Sequence, residues 1–265
     1  MTQPLASLRQ SLACAYSAVP SETIALGAPS LDQRLSGGIL RAGLHEAYAE
    51  TAADAPAATG FALALARRAL AGAEKPLLWA RPDALSAESG APYPPGLADI
   101  GIDPAAVAFI RVRDAKEALQ AGVEAGRCAT VGATLIELFG EARAYDLTAS
   151  RRLALAAAAA GAPIFVARVG ASPAPSAAAS RWLVRAAPSR ALAANAPGSA
   201  AFTIFLLRQR GGAAGHEWRV EWNRDRGAFE DRTFDASSLS GSVASLPVGG
   251  APGEGAPQRA GRKFG

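Results

Sequence analysis

The chain has 265 residues and a formal net charge of +4, from 27 Lys+Arg against 23 Asp+Glu; half of it is hydrophobic but only 6% is aromatic. Much of the apolar content is therefore alanine, which favours helix and contributes little burial per residue. Two cysteines (Cys14, Cys128) and two histidines (His45, His216) exclude a Cys/His zinc centre at ordinary ligand spacing. No apolar run approaches the roughly 20 residues that span a bilayer. The N-terminus also lacks the basic-then-apolar pattern of a secretory signal, so a cytoplasmic protein is expected.

Leu5, Leu8, Leu12 and Tyr16 predict an amphipathic helix over residues 4–18, an N-terminal arm occupying residues 1–20. A short helix over Ser30–Leu35 should stop at Gly37-Gly38. Leu44–Tyr48 reads as a strand and Thr59–Ala71 as an Ala/Leu helix. Leu77–Ala80 and Val107–Val112 are short apolar strands. Asp114 and Glu117 have capping-box spacing and open a helix that runs to about Gly126. Val131–Leu138 is strand-like, Asp146–Ala160 is a helix closed by Gly161, and Pro163–Arg168 is a further strand. Apolar runs without alternation, separated by helices, indicate a mainly parallel sheet covered on both faces.

The pattern then changes. Residues 172–179 form a Pro/Ser/Ala loop, and residues 181–187 alternate, with Trp182 and Val184 on one face and Arg181, Leu183 and Arg185 on the other. Phe202–Arg210 and Glu217–Trp222 flank a glycine-rich turn and predict an antiparallel hairpin. The sheet should thus end in antiparallel strands, within an α/β domain over residues 21–235. Residues 236–265 are rich in Ser, Gly, Pro and Ala and are expected to be a disordered tail. That tail holds Glu254, Arg259, Arg262 and Lys263, half of the net charge, so residues 1–235 carry only +2.

Ser30-Leu31-Asp32, Gly37-Gly38 and Gly43-Leu44-His45-Glu46-Ala47-Tyr48, in that order, resemble the opening of the RecA-type ATPase core. Gly101-Ile102-Asp103 before a strand and Ile164–Arg168 as a core strand match the same plan. Residues 146–153 (Asp-Leu-Thr-Ala-Ser-Arg-Arg-Leu), Ser180-Arg181-Trp182, and Arg210-Gly211-Gly212 ahead of Trp218 and Glu221-Trp222 look like signatures of the ImuA group. That group comprises RecA-related accessory factors of inducible mutagenesis. The likeness spans roughly residues 21–225 and implies a RecA-like P-loop-NTPase-type core.

A P-loop needs Gly-Lys-Ser/Thr, with a lysine to reach the β/γ oxygens and glycines that let backbone N–H groups wrap phosphates. The chain has three lysines (Lys75, Lys116, Lys263), none of which follows a glycine. After Tyr48, an ungapped match puts Asp54 at the second glycine, Ala55 at the lysine and Pro56 at the hydroxyl residue. Glu50 and Asp54 would then face the phosphate position, which is repulsive. Glu137, after Thr134-Leu135-Ile136, stands about where such folds place a magnesium-ordering acid. Without a phosphate cradle it reads as a strand-end carboxylate near a turn. Catalytic, cofactor and metal roles are accordingly not expected.

Arg151 and Arg152 open a helix and read either as surface or as contacts for a partner's acidic surface or for DNA phosphates. His45 reads as structural. Arg181, Arg185, Arg190, Arg208, Arg210 and Arg219 are the candidate DNA contacts, with neighbouring tryptophans available to stack on bases; the loop before them, residues 170–179, has no charge. The resemblance implies a catalytically inert accessory factor of error-prone translesion synthesis. Its partners would be an ImuB-like, polymerase-related adaptor, an error-prone C-family DNA polymerase and RecA, with weak or indirect DNA contact and no membrane. Two alternatives stay open: a SulA-like inhibitor of cell division, and an ATP-binding recombinase-like protein with an atypical phosphate loop.

Overall fold

The computed structural model describes residues 22–232, apart from 86–89, 191, 197 and 213. The expected N-terminal arm and the expected tail lie outside the described residues. In chain order the strands and helices are β1 (Thr23–Ile24), α1 (Pro29–Arg34), β2 (Ile39–Leu40), β3 (Leu44–Ala49), α2 (Ala55–Ala69), β4 (Leu77–Pro82), α3 (Pro94–Ile100), β5 (Val107–Val112), α4 (Ala115–Ala125), β6 (Ala133–Phe139), α5 (Leu147–Ala160), β7 (Ile164–Val169), β8 (Ser180–Ala186), β9 (Ala201–Gln209), β10 (His216–Asn223) and β11 (Ala228–Asp231).

Nine of these strands form one sheet, in the order β11-β10-β9-β8-β3-β7-β6-β4-β5. From β8 to β5 all neighbours are parallel; β9, β10 and β11 continue the sheet antiparallel. This is the expected α/β fold, a mainly parallel sheet extended by antiparallel strands. The cause lies in the strands themselves. Every residue of β3 and β7 is buried, as a strand covered on both faces requires.

One face is covered by α2, whose Phe61 packs edge-on against Trp182 and Phe202. The other is covered by α4 and α5, where Leu119, Leu153 and Ala157 meet Leu44, Ile136 and Val166. Full burial of a side chain such as Phe61 stabilises the fold by about 2–3 kcal/mol.

Local signals explain most element ends. Asp114 and Asp146 each cap a helix, their carboxylates accepting from the backbone N–H three residues on. The Glu117 carboxylate reaches back to the N–H of Arg113, one residue before the cap. Gly38 has φ of 124°, and a Cβ there would lie 2.0 Å from the Ile24 carbonyl oxygen. Only glycine fits where β2 approaches β1.

Several boundaries differ from expectation. Helix α2 begins at Ala55 rather than Thr59, because Pro56 is tolerated in a first helical turn. Strand β4 continues to Pro82, beyond the expected Ala80. Helix α3, opened by Pro94-Pro95, and the edge strand β11 were not expected.

Candidate functional site

The turn between β3 and α2 occupies the place where a phosphate-binding loop would stand in this fold. Its residues are committed elsewhere. Asp54 closes a capping box with Thr51: Thr51 Oγ1 donates to Asp54 Oδ2 at 2.7 Å and the Thr51 N–H donates to the same oxygen at 3.2 Å. The other carboxylate oxygen, Oδ1, accepts the Ala186 N–H at 2.9 Å. Burial works against ionisation of Asp54, but these hydrogen bonds and nearby Arg185 outweigh it and hold its pKa below the usual value. Glu50 pairs with Arg185 at 3.0 Å, and Arg185 also pairs with Glu217 at 2.6 Å. The two carboxylates therefore tie the turn to the end of β8. Ala55 and Pro56 supply the first turn of α2, where Pro56 has no N–H to offer an anion.

Glu137 is not at a strand end. It lies within β6, 3% exposed, on the α2 face. Thr59 Oγ1 donates to its Oε1 at 2.6 Å, and Arg81 Nε stands 2.8 Å from Oε2. Burial pushes the Glu137 carboxyl up, against the opposing pull of Thr59, Arg81 and Trp79. Arg81 also donates to the Gly90 carbonyl at 2.8 Å, so one guanidinium neutralises the acid and fixes the chain beyond β4. A cavity of about 390 Å³ adjoins this pair, lined by Pro56, Thr59, Trp79, Tyr93, Leu97 and Glu137 among others.

The sequence alone does not reveal the role of Arg81, because the apolar run of β4 stops at Ala80. The available signal was chemical: an acid inside an apolar strand needs a cation on a neighbour. In the β4–β6 register Ala80 is level with Ile136, which leaves Arg81 beside Glu137.

A second polar cluster lies on the opposite face of the sheet. Glu46, fully buried, receives Arg181 Nε at 2.7 Å and the hydroxyl of Tyr145 at 2.5 Å. Arg181 also donates to Ser176 Oγ at 2.7 Å. The guanidinium of Arg168 stacks over the Tyr145 ring at 4.9 Å and the Tyr48 ring at 5.6 Å. Burial, reinforced by Glu46, pushes Tyr48 up to about 12 and Tyr145 well above its ordinary value, so both phenols stay protonated as donors.

His45 closes a third chain, with its ring on the α2 face. Its Nε2 lies 2.8 Å from the Leu40 carbonyl and must donate, so Nδ1 accepts from Ser180 Oγ at 2.7 Å. Trp182 Nε1 donates in turn to Ser180 Oγ at 2.8 Å. Burial lowers the His45 pKa to about 4 and keeps the ring neutral.

The expected arginine surface does not assemble as expected. Arg181 is a buried partner of Glu46 rather than part of a solvent face, because a buried carboxylate on the neighbouring strand demands it. Arg185 is exposed but shared between two acids. Arg208 and Arg210, also exposed, donate to the carbonyls of Ser176 and Ala177 and brace the uncharged loop. Trp182, Trp218 and Trp222 are buried and cannot stack on bases. Arg151 and Arg152 are exposed on α5. Among the described residues no cluster of three His, Cys, Asp or Glu side chains could hold a metal ion, and no helix is long and apolar enough to cross a membrane.

A mainly parallel sheet with helices on both faces, entered by a strand–turn–helix unit at its centre and extended by antiparallel strands, is a RecA-like fold. The chain is similar to the crystal structure of the RadB recombinase, with a TM-score of 0.54 over 80% of this chain and 100% of that one, at 15% sequence identity. No protein family's sequence profile matches the chain, and no curated protein matches it in sequence.

Proposed function

We propose that this RecA-like chain is a non-catalytic accessory factor of the DNA-damage response, acting by protein contacts rather than by ATP turnover. The observation that carries the first half is the β3–α2 turn. Phosphate binding there needs free backbone N–H groups and a reachable cation. The turn instead holds Asp54 closed on Thr51 and Ala186, Ala55 where a lysine would stand, and Pro56 with no donor. Glu137, the acid that would order a metal, is neutralised by Arg81. Any nucleotide would have to break these contacts and bring its phosphates beside two carboxylates.

The second half rests on the sequence resemblance to the ImuA group. The partners are accordingly an ImuB-like adaptor, an error-prone C-family polymerase and RecA, with error-prone translesion synthesis as the process served. Several residues of the resembling motifs hold the fold: Asp146 caps α5, and Ser180, Arg181 and Trp182 anchor the β3–β8 junction. DNA contact is weak or indirect, since the strand arginines are largely engaged within the chain.

Titration calorimetry with Mg-ATP tests the first half. No heat is expected at micromolar protein; micromolar, magnesium-dependent binding that is lost on Glu137→Gln would overturn the reading in favour of an atypical ATPase. Affinity purification from DNA-damaged cells tests the second. Recovery of the adaptor and polymerase is expected, whereas recovery of a tubulin-like cell-division protein, the target of a SulA-like inhibitor, without them would favour that alternative.

A further inference from the structure

A groove of about 620 Å³ runs between α4 and α5 on the outer surface of the domain. Leu119, Val123, Leu155 and Ala156 give it an apolar floor, and Lys116 and Arg152 stand at its rim. Leu155 is 71% exposed, the most exposed large apolar side chain of α5. The two helices are drawn together at Gly126, where a Cβ would come within 2.5 Å of the Ala156 Cβ and 2.8 Å of its carbonyl oxygen. The groove therefore closes on a tight contact between the end of α4 and the middle of α5.

Its charge is one-sided. No carboxylate lines it. Arg127, at one end, is balanced by Glu124 at 2.8 Å, but Lys116 and Arg152 have no ion-pair partner among the described residues. Acids at i±4 would pair such cations within the helix. Arg152 has Thr148 and Ala156 there, and Lys116 has Val112 and Gln120.

We propose that this groove docks an amphipathic helix of a partner protein, with leucine-type side chains on the floor and Asp or Glu residues flanking them to meet Lys116 and Arg152. The chain's own N-terminal residues do not suit it: positions 1–21 contain Arg9 and no acid. A nucleic acid would leave the apolar floor uncovered. The proposal sharpens the partner half of the proposed function without depending on the adaptor's identity. Peptide selection reads the groove with no polymerase component present, so its failure is separate from a failed co-purification.

The test is selection on the full chain from a displayed library of helical peptides with leucines fixed at i, i+3 and i+7 and all other positions random. The expected winners are rich in Asp and Glu. Their affinity should fall roughly tenfold with Leu155→Glu and several-fold with Arg152→Glu, with unchanged circular dichroism. Neutral or basic winners, winners insensitive to both substitutions, or no winners would overturn the proposal. So would self-association abolished by Leu155→Glu, or single-stranded DNA binding that depends on Arg152; these would assign the groove to a second copy or to nucleic acid.

Discussion

Two buried Arg–Glu pairs, on opposite faces of one sheet, solve the same electrostatic problem in different surroundings. Glu46–Arg181 joins β3 to β8 and is roofed by Tyr145, with Ser176 taking a further guanidinium N–H. Glu137–Arg81 joins β6 to β4 but lines an open cavity of about 390 Å³. Removing one partner from a buried pair strands the other, and the cost depends on whether water can replace what was lost. The first pair is a structural lock; the second sits where ligand chemistry would be expected and holds that place with internal charge.

The sharpest break of this comparison is Arg181→Met. Glu46 would remain in the core with Tyr145 as its main donor, and a loss of about 3–5 kcal/mol is expected, read from urea denaturation. Replacing both members, Glu46→Leu with Arg181→Met, should recover most of that loss, because no charge is left buried. A double variant no more stable than the single one would show that packing, not charge, dominates the site.

Next in size is the pH response of the neighbouring His45 chain. The folded pKa of about 4 lies below the ordinary 6.5, so the unfolded chain binds the proton more readily. Stability from the neutral ring is complete above pH 6.5 and is lost as pH falls toward 4. The integrated difference is about 3 kcal/mol. Comparing denaturation midpoints of the native chain and His45→Gln across that range isolates the term; parallel curves would refute it.

Apolar runs made the sheet legible, because strands covered on both faces leave a continuous signature, and Asp114 and Asp146 announced their helices through capping chemistry. The pairing of Glu46 with Arg181 was not legible. The two residues are 135 positions apart, and the alternation of β8 put Arg181 on the face away from Trp182, which a single strand cannot distinguish from a solvent face. That other face is covered by Tyr145 and Ser176, residues of loops with no periodicity to read. Helix α3 was hidden by its opening prolines, and β11 by its four-residue length. The lack of a Gly-Lys-Ser/Thr motif was visible because it is a local feature that needs no tertiary contact to read.

A smaller loss is expected for Arg81→Ala. The adjoining cavity lets water reach Glu137, and the carboxyl can take up a proton, so the cost should be about 1–3 kcal/mol rather than that of a sealed pair. The pH dependence carries the sign. Glu137 already has a folded pKa above 4.5, so it favours the folded state less as pH rises through that range. Removing Arg81 should raise the folded pKa further. The variant should therefore lose stability more steeply than the native chain between pH 5 and 8. A loss as large as that of Arg181→Met, independent of pH, would erase the distinction between an open and a sealed pair.

The smallest effect is expected at Asp54, and it separates structural from ligand chemistry most directly. In the turn it accepts from Thr51 and from the Ala186 N–H, on the surface, so Asp54→Ala should cost about 1 kcal/mol, the usual worth of a capping side chain. If the carboxylate also keeps anions out, its removal should let phosphate stabilise the protein measurably where the native chain shows no response. Thermal denaturation of both proteins with and without inorganic phosphate reads the two terms together. A 1 kcal/mol loss without a phosphate response would mean that Asp54 only tethers the turn, and that Pro56 and the missing lysine suffice to exclude the ligand.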